Sequence, residues 1–251
     1  MATEREGYET DWSGYNISAF VANHTCPVGA SGMLVFYCGN QNTTARPVSV
    51  IWNSVGLTQL WDSGGTNNAK CYYLDGPDEG AHQLIMYLNT SQNWHESFCV
   101  WLSGSKPGDM IGDTDFGGNP RSVTPTSLQD IVISCGSSYN DSNPVVSGGD
   151  LTQWAVYQND MCLGYKEATT SAVSCSYANA TNVSGVVVKG VAGGPTAIAM
   201  FYKSYQDFMD RLRQGLIPQN QLKKEYGRVM NMHPQPVKVL KIDKVGSYAN
   251  N

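Results

Sequence analysis

Apolar runs and turn residues alternate along most of this chain. "ISAFVANHT" is followed by the turn "CPVGASG" and then by "MLVFYCGN". The latter is apolar at successive positions, as a strand buried on both faces would be. After "QNTTARP" come "VSVIWN" and "GLTQLWD", then the turn "SGGTNN" and the aromatic-rich "AKCYYLD". The tight turn "GPDEG" leads into "AHQLIMYLN", and "ESFCVWLSG" is another buried run. A long loop, "SKPGDMIGDTDFGGNPRSVTPTS", separates this half from the next. There "QDIVISCGSSY", "LTQWAVYQ", "MCLGYKEA", "AVSCSYAN" and "VSGVVVKGVA" repeat the strand-and-turn pattern. No helical period is present before residue 200. The pattern predicts an all-β chain: an N-terminal arm over 1–14, then an antiparallel two-sheet β-sandwich of jelly-roll type over 15–192.

The character changes at "AGGP", residues 192–195. "TAIAMFY" reads as a last strand or a lead-in. "SYQDFMDRLRQGLIP" reads as a helix, with Ser204 as its cap and Asp207 three residues on. Tyr205, Phe208, Met209, Leu212 and Leu216 fall on one face at helical spacing. Pro218 stops this helix or begins a second short one, "PQNQLKKEY", closed by Gly227. Pro234 and Pro236 exclude helix beyond it. In "VKVLKIDKV", Val237, Val239 and Ile242 alternate imperfectly with lysines, as on an edge strand. Residues 193–251 are therefore expected to form a helical, then extended, docking tail.

Charge sharpens that expectation. Residues 1–192 hold 7 Lys/Arg against 17 Asp/Glu, a balance of −10, whereas residues 193–251 hold 9 against 4, a balance of +5. A basic arm beside an acidic body suits a grip on a neighbour's acidic surface. The candidate docking residues are Tyr205, Phe208, Met209 and Leu212, with Arg211, Arg213, Lys223 and Lys224. The net charge of −5 argues against nucleic acid as a partner. No apolar run is long enough to span a bilayer, so no membrane partner is expected. The opening "MATEREGYETDW" has no apolar core of a signal peptide, which predicts folding in a cytosol-like compartment. Seven cysteines occur with no CxxC pair, and most fall in predicted strands, where a thiol packs as a small apolar residue. The other reading is disulfides formed after release to an oxidising medium. Seven N-x-S/T sequons, from Asn16 to Asn182, read as a by-product of turns rich in Asn, Ser and Thr.

The order of motifs resembles a family of jelly-roll, concanavalin-like sandwich domains found in secreted bacterial proteins and in tailed-phage virion proteins. Its members carry a Trp-Asn-Gly-Val-x-Met/Leu-Thr strand–turn–strand motif. Here that motif is Trp52-Asn53-Ser54-Val55-Gly56-Leu57-Thr58, with Ser54 where the family usually has Gly. "CYYLDGPDEGAHQLIMYL", "FCVWLSG" and "SKPG" match the family's next strands and its Pro-containing loop. "QDIVISCGSSY", "LTQW", "GYKEA" and "SGVVVKG" match the second half. The likeness spans roughly residues 15–192 and supplies no catalytic set to carry across. It implies a rigid display module. In phage particles such modules sit on the capsid exterior or on tail appendages, and some touch glycans.

Chemistry is sparse. No HExxH, CxxC, GxSxG or P-loop occurs. Asp109, Asp113, Asp115 and Asn119, in "DMIGDTDFGGN", offer oxygens at loop spacing for Ca²⁺, but lack the EF-hand pattern and its closing Glu. Acidic residues cluster in turns rather than in the facing pairs that glycoside hydrolysis needs. Trp94, His95 and Trp61 are candidates for stacking on a sugar. The expectation is a non-enzymatic structural protein of a phage-like virion, without catalytic residues or a cofactor. It would be a capsid decoration (cement) or appendage component, assembled in the host cytoplasm as a homo-oligomer. Its partners would be the major capsid protein or appendage neighbours. The alternatives are a glycan-binding adhesin and, behind it, a glycoside hydrolase on the same fold.

Overall fold

The computed structural model describes residues 17–39, 47–64, 69–92, 94–138, 142–157, 160–167, 169–191, 195–230 and 237–248. Three larger sheets and two short ribbons account for the described strands. The outer sheet has the order β1-β7-β3-β4 and is built from β1 (Ile17–Cys26), β3 (Pro47–Trp52), β4 (Val55–Gly56) and β7 (Gly80–Gln92). The first inner sheet has the order β18-β8-β2-β6-β5. Its members are β2 (Gly32–Gly39), β5 (Thr58–Asp62), β6 (Ala69–Asp75), β8 (Trp94–Ser103) and β18 (Lys238–Tyr248). The second inner sheet has the order β13-β14-β11-β17-β9. It comprises β9 (Ile111–Gly117), β11 (Ile131–Ser137), β13 (Thr152–Tyr157), β14 (Met161–Glu167) and β17 (Asn182–Val188). The ribbons pair β10 (Arg121–Val123) with β15 (Val173–Cys175), and β12 (Val145–Val146) with β16 (Tyr177–Ala178). Every ladder is antiparallel.

The sheets stack as layers. Between the two inner sheets lies the largest core, with Leu34, Phe36, Phe98, Val100 and Leu102 from one side and Ile131, Ile133, Leu163, Val186 and Val188 from the other. Met33, Val35, Tyr37, Tyr72 and Trp101 point from the opposite face of the first inner sheet and meet Phe20, Val50, Trp52, Leu84 and Met86 of the outer sheet. A third core fills the space between the second inner sheet and the ribbons, around Val132, Val187, Val123, Val173, Cys175 and Tyr177. This is why "MLVFYCGN" carries no polar alternation. β2, β11 and β17 are buried along their whole length because each has a layer on both sides.

The all-β, antiparallel character matches the strand periodicity. The layering does not stop at two sheets, because one inner sheet covers each face of the main core and each has a further cover of its own. Three local expectations are corrected. The segment read as a long loop contains β9 and β10. Its "IGDTDFG" reads as polar because β9 is a partly exposed sheet edge with acids on it. The docking tail is not wholly a tail: β18 pairs with β8 from Lys238↔Ser103 to Tyr248↔Trp94 and completes the first inner sheet. α1 runs from Pro195 to Arg213, so Ser204 lies inside the helix rather than capping it, and α2 (Leu222–Met230) passes through Gly227.

Three glycines set the spacing of the ribbons. Gly164 on β14 and Gly185 on β17 both lie opposite Ser134 of β11, and Gly136 is two residues further along β11. A Cβ on Gly136 would run into the ring of Tyr177. On Gly164 it would meet Val146 Cγ2 at 2.9 Å and Tyr177 Oη at 3.0 Å, and on Gly185 it would meet Cys175 Sγ at 3.0 Å and Val123 Cγ1 at 3.1 Å. The missing side chains are the room into which Tyr177, Cys175 and Val123 pack. The side-chain amide of Asn119 then holds the Tyr177 backbone at both its N–H and its carbonyl.

The motif "WNSVG" is a two-residue hairpin between β3 and β4. Asn53 and Ser54 have φ of 44° and 67°. Both lie in the left-handed region, where glycine is unstrained. Asn53 does not bond to nearby backbone as local turn chemistry suggests. Its amide donates to Asp78 Oδ2 at 3.0 Å, and the Trp52 indole donates to the Asp78 carbonyl at 3.2 Å. The corner is thus pinned to the turn before β7. Ser54→Gly is expected to raise stability by about 0.5–1 kcal/mol, read as a higher thermal midpoint. A fall on this substitution would show that the Ser54 side chain contributes more than its backbone strain costs.

Candidate functional site

The most distinctive surface is the helical hairpin. α1 ends on Gly215, whose φ is 67°, with Gly215 N–H donating to the Leu212 carbonyl at 3.0 Å and Leu216 N–H to the Arg211 carbonyl at 2.9 Å. This left-handed stop reverses the chain. Ile217 then turns inward, a 3-10 turn spans Gln219–Gln221, and α2 returns against α1. Phe208, Ile217 and Val229 are buried between the helices, with Tyr205, Met209, Leu222 and Met230 packed round them. Arg211 reaches Glu225 across the hairpin at 3.5 Å, and Arg228 reaches the same carboxylate at 3.3 Å. Lys223 Nζ lies 2.8 Å from Glu79, tying the hairpin to the turn ahead of β7. Burial raises the Glu79 pKa, but bonds from Gly29 N–H and Lys223 outweigh it and leave the carboxyl below its usual range.

The expected docking residues therefore divide. Tyr205, Phe208 and Met209 serve the hairpin's own small core. Leu212 remains 37% exposed, and it is joined by two residues outside the expected set, Leu216 at 60% and Tyr226 at 48%. Arg213, Lys223, Lys224 and Arg228 are exposed on the same hairpin. Leu216 was legible from the spacing. Tyr226 was not, because "KKEYGRVM" reads as a polar segment until α2 is extended through Gly227.

The sugar-stacking candidates lie on two strands of the first inner sheet, β5 and β8, with β6 and β2 between them. Trp61 stacks on Phe116, with ring centroids 5.3 Å apart and planes 8° from parallel. That contact joins the β5 edge of one inner sheet to the β9 edge of the other, so one face of the indole is already covered. Trp94 and His95 are placed by their backbone at the start of β8, opposite Tyr248 and Ser247. Their side chains lie outside the described residues.

The four oxygen-bearing candidates are separately engaged. Asp109 lies between Lys106 at 2.6 Å and Lys189 at 2.7 Å, and bonds from these two lysines pull its pKa down to about 2. Asp113 accepts from Thr124 N–H at 2.8 Å, and Asp115 accepts from Ser122 N–H at 3.0 Å with Arg121 at 3.5 Å. Asn119 holds Tyr177. Among the described residues no group of three or more His, Cys, Asp or Glu could hold a metal ion.

A polar knot joins the outer and first inner sheets. Asp243 on β18 accepts from the Trp101 indole at 2.8 Å and lies 2.8 Å from Lys241 Nζ and 3.4 Å from His24 Nδ1. Burial pushes its pKa up, but the bonds from His24, Lys241 and Trp101 outweigh that and hold the carboxyl below its ordinary range. Cys26 and Cys99 belong to the neighbouring core. Burial, with Glu79 and Asp78, pushes the Cys26 thiol up to about 12, and burial raises Cys99 well above the ordinary thiol range. A thiol so protonated at neutral pH is not an activated nucleophile. All seven cysteines are buried free thiols, as small apolar core residues would be.

No family model, curated protein or solved structure matches this chain. The class is thus set by architecture alone: a layered, antiparallel all-β protein carrying a helical hairpin.

Proposed function

We propose that this protein is a non-enzymatic structural component of a phage-like virion, a capsid decoration or appendage subunit. It takes its place in the host cytoplasm by docking the 195–230 hairpin on an acidic surface of a neighbouring subunit. The observation that carries the reading is that one hairpin leaves Leu212, Leu216 and Tyr226 exposed, together with the exposed cations Arg213, Lys223, Lys224 and Arg228, on an otherwise acidic chain. Exposed apolar and cationic side chains on one small element suit a protein-docking surface. Consecutive strands that cross back and forth between facing sheets support the kinship with jelly-roll sandwiches. The calcium candidates Asp109, Asp113, Asp115 and Asn119 are each engaged by other protein groups, which gives that reading no further support.

The test is the double variant Leu216→Asp/Tyr226→Ser, both exposed positions. Its circular dichroism and thermal midpoint should match the parent. Its incorporation into particles made in the producing host should fall at least about tenfold, the loss expected from removing apolar anchors of a docking surface. Undiminished incorporation of the folded variant would end the proposal.

A further inference from the structure

We infer that the chain is one strand unit used twice in tandem, that each copy gives its final strand to the other, and that the helical hairpin is an insertion into one of two equivalent crossovers. Strand order and register carry this, independently of the proposed function.

The two inner sheets have the same layout. β8-β2-β6-β5 in the first corresponds, in order and direction, to β17-β11-β14-β13 in the second. The layers outside them correspond too. β1 and β3 flank β7, as β10 and β12 flank the interrupted pair β15 and β16. Each unit therefore visits its inner and outer layers in the same sequence.

The registers agree at the level of residues. In the first unit Leu34 is opposite both Tyr73 and Val100; in the second Ile133 is opposite both Tyr165 and Val186. Extending these rungs brings Val100-Trp101-Leu102-Ser103-Gly104 onto Val186-Val187-Val188-Lys189-Gly190. Equivalent residues face the same way, with Leu34, Val100 and Leu102, like Ile133, Val186 and Val188, all in the central core. Leu57-Thr58-Gln59 falls on Leu151-Thr152-Gln153. Thr58 pairs with Tyr73 as Thr152 pairs with Tyr165, and both ladders slip immediately after the glutamine. Two unrelated sheets have no reason to share a bulge at the same rung.

The exchange is reciprocal. β9 follows the first unit but pairs with β17, the last strand of the second. β18 follows the second unit but pairs with β8, the last strand of the first. These edges again correspond: Val239 faces Leu102 as Ile111 faces Val188, a slip follows in each, and Asp243 faces Cys99 as Asp115 faces Gly185. The two places where the chain crosses over run side by side and antiparallel. Ser105 bridges Gly190, Lys106 N–H donates to the Lys189 carbonyl at 2.8 Å, and Val191 N–H donates to the Gly104 carbonyl at 3.4 Å. Equivalent segments meeting in this way mark a two-fold relation inside one chain.

The crossovers differ in length. Residues 105–110 join Gly104 to β9 in the first; residues 191–238 join Gly190 to the equivalent point in β18 and contain both helices. The short connection is thus enough for this geometry. The hairpin is an added interaction element, and the scaffold closes without it.

Two chimeras of the full chain test this. One replaces residues 191–238 with a copy of Ser105–Met110; the other keeps the native second crossover and puts a copy of residues 191–238 in place of 105–110. The first should unfold cooperatively with its helical signal gone, and hydrogen exchange should find β8 and β18 as protected as in the parent. The second should fold with about twice the helical signal of the parent. Failure of both to fold, or a folded first chimera with β8 exchanging freely, would overturn the equivalence. If the first chimera folds and still enters particles, the docking role of the hairpin falls while the two-unit construction stands.

Discussion

Gly136→Ala should lower stability by about 1–3 kcal/mol, the range for overpacking a dense core. In a chain of this size that is a fall of about 3–10 °C in thermal midpoint. The added methyl meets the ring of Tyr177, which cannot swing away. Tyr177 is 1% exposed, its backbone is held by Asn119, and its hydroxyl end lies against Gly164. Gly227→Ala is the matched comparison. No atom lies within 4 Å of the Cβ it would add, and α2 should gain up to about 1 kcal/mol of helix propensity. The two substitutions, chemically identical, should move the midpoint in opposite directions. Equal shifts would mean that the ribbons do not rest on the second inner sheet.

Asp243→Ala should cost about 1–3 kcal/mol, the range for leaving a buried donor, here the Trp101 indole N–H, without its acceptor. The carboxylate is 10% exposed and serves Trp101, Lys241 and His24 together. The pH dependence comes from the sign of its shift. Its folded pKa lies below the unfolded value of about 3.9, so its contribution is complete above that value. It is lost as pH falls through the lower, folded pKa. The parent should therefore lose stability steeply on acidification below about pH 4, and Asp243→Asn should flatten that part of the curve while lowering the plateau at neutral pH. Urea midpoints measured from about pH 2.5 to 7 would decide it; parallel curves for parent and variant would remove Asp243 from this role.

Strand content was readable because alternation and doubly apolar runs report burial directly. β2 announced itself as covered on both faces, whereas β11 and β17 read only as strands. The number of layers was not readable, since a run such as "MLVFYCG" says that both faces are buried but not what buries them. The doubling was hidden for a related reason. Across the outer faces of the inner sheets, Tyr37, Tyr72 and Cys99 of the first unit occupy the rungs that Gly136, Gly164 and Gly185 occupy in the second. Bulk on one side is matched by glycine on the other, where aromatic and ribbon side chains from outside fill the space. Equivalent rungs thus carry opposite residue types, and only "LTQ" and the V-x-[LV]-x-G strand ends survive as visible echoes. At the hairpin, spacing identified the helical face but not its partner. Phe208 and Met209 were expected to meet another chain, and α2 meets them first.

Trp101 and Asp243, which join β8 to β18, are 142 residues apart in sequence. That separation has a consequence during synthesis. Four strands of the first inner sheet are made by Ser103, yet the sheet is not finished until β18. Until the final strand arrives, β8 presents an open row of backbone donors and acceptors beside Phe98, Val100 and Leu102, a template for pairing with any nascent chain nearby. Synthesis interrupted before residue 238 therefore leaves a sticky product rather than a smaller soluble one. The protein is at its most vulnerable just before its closing strand is made.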